Sequence, residues 1–179
     1  MSTLHFPTTQ YASSEFVESA GAILFHISSQ RVCLLRLKKR DEWLLAKGRR
    51  NCEESRASTA LREVEEENGF SCYLLPVTME IRAPPKDEGD VSLPDQPRKY
   101  VGSLEPFYLT MRHVAERNLK LIWWYIAAIR KNEEMRPSED RYDRVLVGYE
   151  EAMGKLTFRE DREILEKAIH IMQTSTSQA

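Results

Sequence analysis

The chain has 179 residues, 41% hydrophobic and 30% charged, with a formal net charge of −2. That length supports one well-cored domain and is short for two, and the near-neutral balance argues against bulk affinity for nucleic acid or an anionic membrane. The longest apolar run, Leu121 to Ile129, falls far below the roughly 18–20 residues needed to span a bilayer, so no membrane partner is expected.

The N-terminal segment MSTLHFPTTQYASSEF carries neither a basic n-region nor an apolar h-region, so no secretory signal is expected. Cys33, Cys52 and Cys72 make an odd count without CxxC spacing. Reduced thiols in the cytoplasm or nucleus follow, with no zinc site. Residues 1–14 and 174–179 are polar and unpatterned and read as flexible ends around a domain at 15–173.

FVESAGAILFHI and VCLLRLKK, separated by Ser28 to Arg31, read as a β-hairpin. Trp43 to Ala46 reads as a short strand before Gly48. From about Ser55, Ala57, Ala60, Leu61 and Val64 recur at i, i+3, i+4 and i+7, the stripe of an amphipathic helix. Asn68-Gly69 is its stop, because either residue tolerates the left-handed conformation. Cys72 to Arg82 reads as one strand, and the proline-rich, charged stretch PPKDEGDVSLPDQPRK as a long loop. Glu105 to Met111 and Leu121 to Ile129 read as strands paired across HVAERN. Trp123 and Trp124 adjoin on the second of these, so one faces the core and the other does not. NEEMRPSEDRYDR is a polar loop, Val145 to Tyr149 a last strand, and Arg159 to Met172 a helix burying Ile164, Leu165, Ala168, Ile171 and Met172. This order predicts a single-domain α/β sandwich with a mixed sheet.

The first helix concentrates charge. Glu63, Glu66 and Glu67 fall at i, i+3 and i+4 and share a face about 110° from the apolar stripe, at about 100° per residue. Like charges so placed cost roughly 0.2–0.5 kcal/mol per pair in water. Beside a glycine and the basic run KGRR, such a face points to a site for a hard divalent cation.

GRRNCEESRASTALREVEEENGF, residues 48–70, resembles the Nudix box: glycine, five residues, glutamate, seven residues, then REUxEExGU with U bulky and apolar. Gly48, Glu54, Arg62, Glu63, Glu66, Glu67 and Gly69 fill the fixed positions, and Val64 and Phe70 the apolar ones. The one nearby departure is Ala46, where many relatives carry proline. The resemblance implies a Nudix-type α/β/α sandwich and hydrolysis of a diphosphate linkage with Mg2+ or Mn2+. It implies metal binding by Glu66 and Glu67, with Glu63 joining them or positioning water, and by the Gly48 carbonyl. Arg62 and Glu54 match the pair that braces loop against helix. The general base is open: Glu63 and Glu67 inside the box are preferred to Asp87, Glu88, Asp90, Glu139 and Asp140 outside it.

Basic residues flank the box. Lys47, Arg49 and Arg50 enclose its glycine, and Arg36 and Lys38, with Lys39 and Arg40, precede it. As phosphate donors they favour a highly phosphorylated small molecule, resembling the diphosphoinositol polyphosphate and dinucleoside polyphosphate branch. A nucleoside diphosphate-sugar, a capped RNA (the one nucleic acid left as a partner) and a non-catalytic binding role are the alternatives. Tyr100, Phe107, Tyr108, Trp123 and Trp124 are candidates for a base-stacking platform. Monomer and homodimer are both compatible. The four histidines are scattered and none is read as catalytic. GYEEAMGK lacks the spacing and the Ser/Thr of a phosphate loop.

Overall fold

The computed structural model describes residues 6–86, 93–116, 118–131 and 136–176. In chain order the elements are β1 (Phe16–His26), β2 (Arg31–Leu37), β3 (Glu42–Leu44), β4 (Lys47–Arg49), α1 (Arg56–Asn68), β5 (Cys72–Leu74), β6 (Val77–Ile81), β7 (Arg98–Ser103), β8 (Tyr108–Ala115), β9 (Asn118–Ile129), β10 (Tyr142–Gly148), α2 (Tyr149–Lys155) and α3 (Arg159–Thr176). Among the described residues no helix is long and apolar enough to cross a membrane.

β1 organises the domain. Its alternation sends Ala20, Ala22 and Leu24 to one face and Ile23 and Phe25 to the other, and all five are buried. It runs parallel to β9 from Phe16–Leu119 to Phe25–Ala128, and antiparallel to β4 and to the start of β2. The large mixed sheet runs β10-β2-β1-β9-β5, with β3, β4 and β8 attached to β2, β1 and β9. The Ala60 and Val64 side of α1 packs on the Ala20/Leu24 face. α2 and α3 cover the opposite face, where Phe25, Trp124, Leu156, Ile164 and Leu165 meet in the larger core. The layering is therefore α/β/α, as the resemblance implies, around the mixed sheet that the element order predicts.

Several boundaries differ from the sequence expectation, each for a local reason. Cys72 to Arg82 is two strands in different sheets, because Pro76 cannot donate to a ladder and the chain changes sheet around it. β6 pairs with β7, whose RKYVGS lacks apolar alternation and begins inside the segment read as a loop. β4 lies within the basic KGR run, and β3 ends at Leu44. β8 starts at Tyr108 and continues through the first half of the expected turn, since its side chains from Leu109 onward are largely solvent-facing and carry no hydrophobic signal. Tyr149, expected at the end of a strand, opens α2, packing its ring edge-on at 5.7 Å against Phe25. α3 extends past Met172 to Thr176. There the Thr78 backbone N–H donates to Ser175 Oγ at 2.9 Å.

Candidate active site

α1 starts where the sequence places it. The Ser55 side chain caps it by accepting from the Ser58 N–H at 3.0 Å, and Gly69 ends it at φ 71°. A side chain at Gly69 would also meet the Arg136 carbonyl oxygen at 2.3 Å. Arg144 Nη1 donates to the Asn68 carbonyl at 2.6 Å, and the Arg136 N–H to the Gly69 carbonyl at 2.8 Å, which ties the helix end to the segment before β10. The carboxylate face of α1 is thus held at both ends.

Gly48, on β4, faces that helix from opposite Ala20. A Cβ at Gly48 would lie 1.7 Å from Glu63 Oε2, so only glycine lets this carboxylate lie against the loop. Arg62 is the internal counter-charge. It donates to Glu54 through Nε and Nη2 at 2.8 Å each, to Glu63 at 2.7 Å, to Glu66 at 3.1 Å and to the Arg49 carbonyl at 3.0 Å. Among the described residues no three acidic, His or Cys side chains form a ready-made metal cage. The donor set is nevertheless hard oxygen throughout, three carboxylates and the Gly48 carbonyl, and suits Mg2+ or Mn2+. The residues therefore fit the metal that the box implies.

Glu67 is the most enclosed of the three. Its Oε2 accepts the Lys47 N–H at 2.8 Å, and Oε1 lies 3.7 Å from Arg141 Nη2. Burial pushes its carboxyl up to about 7 against the Lys47 backbone and charge, with Glu63 and Glu139 adding to the rise. Of the acids proposed outside the box, Glu139 is brought to the site: its N–H donates to the Glu66 carbonyl at 3.2 Å and its carboxylate pairs with Arg141. Asp87, Glu88 and Asp90 lie outside the described residues.

Glu54 is a brace. Two hydrogen bonds from Arg62 hold its carboxyl down at about 2 against partial desolvation, helped by the Asn51 N–H and the Thr59 hydroxyl. A depressed carboxyl adds stability that is present above its unfolded value and is lost as pH falls toward the folded one. Chemical denaturation should therefore show stability falling between about pH 5 and 3, and falling less in Glu54→Gln. Equal losses in both proteins would remove Glu54 from that role.

The basic residues divide. Lys47 and Arg49 flank Gly48 on β4 with no ion pair or side-chain hydrogen bond among the described residues. Arg50 is already committed to Glu18 at 3.0 Å and to the Glu54 carbonyl at 2.8 Å. Arg36 pairs with Asp41 and Asp143, and Lys38 with Asp143 at 3.4 Å, and among the described residues neither has an ion pair with a box residue. Trp124 is buried with Nε1 donating to Thr110. Trp123 is half-buried, donates to Glu18, and has the Arg56 guanidinium 4.0 Å over its ring. The two tryptophans point to opposite faces, but both pack on cores, Trp124 under α3 and Trp123 against the cluster under α1, because the sheet is covered on both sides, and neither presents an unobstructed ring.

Sequence reading missed three further residues here. Lys120 on β9 lies directly opposite Arg112 on β8. Partial burial lowers the Lys120 ammonium below its usual range, and Lys47, Arg112 and Arg49 lower it further, while Glu63 opposes them. Asp161, in the first turn of α3, is raised by burial and lowered by the charges of Lys47 and Arg112. The signal for Lys120 was present in the sequence: a lysine at an inward position of an otherwise apolar strand.

No protein-family model and no curated protein matches the sequence. Solved structures do match the fold. A hydrolase of the Nudix family from Clostridium perfringens superposes with a TM-score of 0.59 at 15% identity, over 87% of this chain and 97% of that one. The C. elegans Ap4A hydrolase gives 0.57 at 15% identity, over 88% and 98%. A UDP-X diphosphatase gives 0.54 at 17% identity, over 92% and 66%. The chain has the Nudix hydrolase fold. On that fold, residues 48–70 place the pattern that resembles the Nudix box on β4, the loop after it and α1.

Proposed function

We propose that this domain is a metal-dependent pyrophosphohydrolase that cleaves a diphosphate linkage in a highly phosphorylated small molecule, a diphosphoinositol polyphosphate or a dinucleoside polyphosphate. One observation carries the reading: Glu63, Glu66, Glu67 and Gly48 lie together beside Lys47 and Arg49, cations without an ion pair among the described residues. Glu63, Glu66, Glu67 and the Gly48 carbonyl would hold Mg2+ or Mn2+. When bound, such an ion neutralises phosphate charge and acidifies water.

The chain's own groups do the rest. Lys47 and Arg49 attract and orient the phosphates. Arg62 fixes Glu54 and Glu63 so that the carboxylate face does not splay. Glu67 and Glu63 are the preferred proton acceptors for water. Glu67 has the stronger support, because burial places its carboxyl near neutrality, where a base works best. An Ap4A hydrolase and a UDP-X diphosphatase stand among the structural neighbours, which is compatible with the preferred class and with nucleotide sugars. The buried Trp124 and the Arg56-covered Trp123 weigh against substrates that need base stacking on these rings.

The test is a panel of inositol pyrophosphates, dinucleoside polyphosphates, nucleotide sugars and capped RNA, incubated with Mg2+ or Mn2+ and resolved by chromatography. Turnover is expected on the first two classes. Activity confined to nucleotide sugars would overturn the substrate class, and tight binding without product would favour a sensing role.

A further inference from the structure

Four strands lie side by side next to the box: β4, β1, β9 and β8. In their registers Arg49 is opposite Ser19 and Lys47 opposite Gly21, Ser19 is opposite Ile122, and Arg112 is opposite Lys120. Side chains directly opposite one another share a face, and residues two apart along a strand do too. Ile23 and Phe25, in phase with Ser19 and Gly21, belong to the core under α3, and so do Ile122 and Trp124, in phase with Lys120. Lys47, Arg49, Lys120 and Arg112 therefore gather on that same face, at its end nearest Gly48. Glu63 reaches them from the other side of the glycine, where it acts on the charge of Lys120.

This gathering is costly as it stands. Like charges directly opposite across a ladder repel, and a half-buried ammonium without a partner loses hydration that nothing replaces. None of the four cations has an ion pair or a side-chain hydrogen bond among the described residues. Asp161 faces Lys47 and Arg112, Glu67 feels the charge of Lys47 and Glu63 that of Lys120, but none of these carboxylates forms an ion pair with the four cations among the described residues. Beside Arg49, the hydroxyl of Ser19 is fully enclosed and has no hydrogen-bond partner among the described residues. A face that concentrates four cations without an ion pair in this way favours an anion.

We propose that Lys120 and Arg112, continuing the row begun by Lys47 and Arg49, form a second phosphate subsite that holds a phosphate group of the substrate other than the diphosphate being cleaved. The inference rests on the proposed hydrolase reading for its substrate, though its test does not need hydrolysis. Lys120 and Arg112 are then specificity-determining residues. They select a molecule with a third phosphate placed toward the β8–β9 hairpin, and a simple diphosphate leaves them unfilled.

Calorimetric titration of the full chain with pyrophosphate and with tripolyphosphate, in chelator and without added metal, reads the subsite directly. Tripolyphosphate is expected to bind about tenfold more tightly than pyrophosphate, and Lys120→Met and Arg112→Gln should each remove about that tenfold advantage. Lys120→Arg should keep it. Arg31→Gln, which removes one charge at the start of β2, controls for bulk electrostatics and should match the unaltered chain. Arg112 is exposed, so its variant reads the subsite even if Lys120→Met proves unstable. Equal affinities for the two anions, or variants that bind tripolyphosphate as the Arg31 control does, would overturn the proposal. Normal binding with no turnover on any substrate would sink the hydrolase reading instead and leave the subsite standing.

Discussion

Replacing Glu67 by Gln is expected to lower metal-dependent turnover by at least about a hundredfold, and Glu66→Gln to do the same. The two variants separate function from folding differently. Glu67 is 3% exposed, and its Oε2 accepts the Lys47 N–H at 2.8 Å. Glutamine keeps an oxygen for that bond and sheds the charge. Because burial pushes this carboxyl up to about 7, its ionised form opposes folding above that pH. In chelator at pH 8, Glu67→Gln should be at least as stable as the unaltered chain by chemical denaturation. The Glu66 side chain is half exposed and its one ion pair among the described residues is with Arg62 at 3.1 Å. Removing its charge should therefore leave stability within about 1 kcal/mol. Phosphate release followed against metal concentration gives the functional readout. Unchanged turnover in both variants would sink the carboxylate mechanism.

The helix and its carboxylate face were legible because every level of the sequence agreed there. Ser55 caps, Ala60 and Val64 pack, Gly69 stops, and Glu63, Glu66 and Glu67 stand clear of the packed stripe. Apolar alternation likewise exposed β1, β2 and β9, whose inward residues are the core. What stayed hidden lacked that signal. β7 and most of β8 present polar or solvent-facing side chains and owe their strand form to a partner strand, which local sequence does not display. The fate of a charge was equally illegible. Nothing in the runs RLKKR and KGRRN tells that Arg36, Lys38 and Arg50 find carboxylates while Lys47 and Arg49, among the described residues, do not. Pairing between Arg112 and Lys120, or the approach of Glu139 to the end of α1, arises from contacts between residues distant along the chain. The local chemistry of the box was therefore readable, and its extension toward a particular substrate required the registers.

The glycines of β1 and β4 divide function from folding more sharply than the glutamates do. In Gly48→Ala the added Cβ would fall 1.7 Å from Glu63 Oε2 and 1.9 Å from its carboxyl carbon. Those atoms end a flexible side chain, so Glu63 swings away and surrenders its 2.7 Å bond from Arg62. The expected outcome is a stability loss of about 1–2 kcal/mol, one charged hydrogen bond on a partly exposed pair, and a fall in turnover of about a hundredfold from the misplaced carboxylate. In Gly21→Ala the Cβ would fall 2.2 Å from the Ala46 carbonyl oxygen and 2.6 Å from Lys47 Cβ. Backbone cannot step aside as a side chain can, so β4 must part from β1 and the strand that carries Gly48 loses its seat. Overpacking of that kind costs about 3 kcal/mol or more, and the loss should appear in the denaturation midpoint before any assay is run. A Gly48→Ala protein with normal turnover would show that Glu63 need not lie against the loop. A Gly21→Ala protein as stable as the parent would show that β1 and β4 do not approach as closely as their registers require.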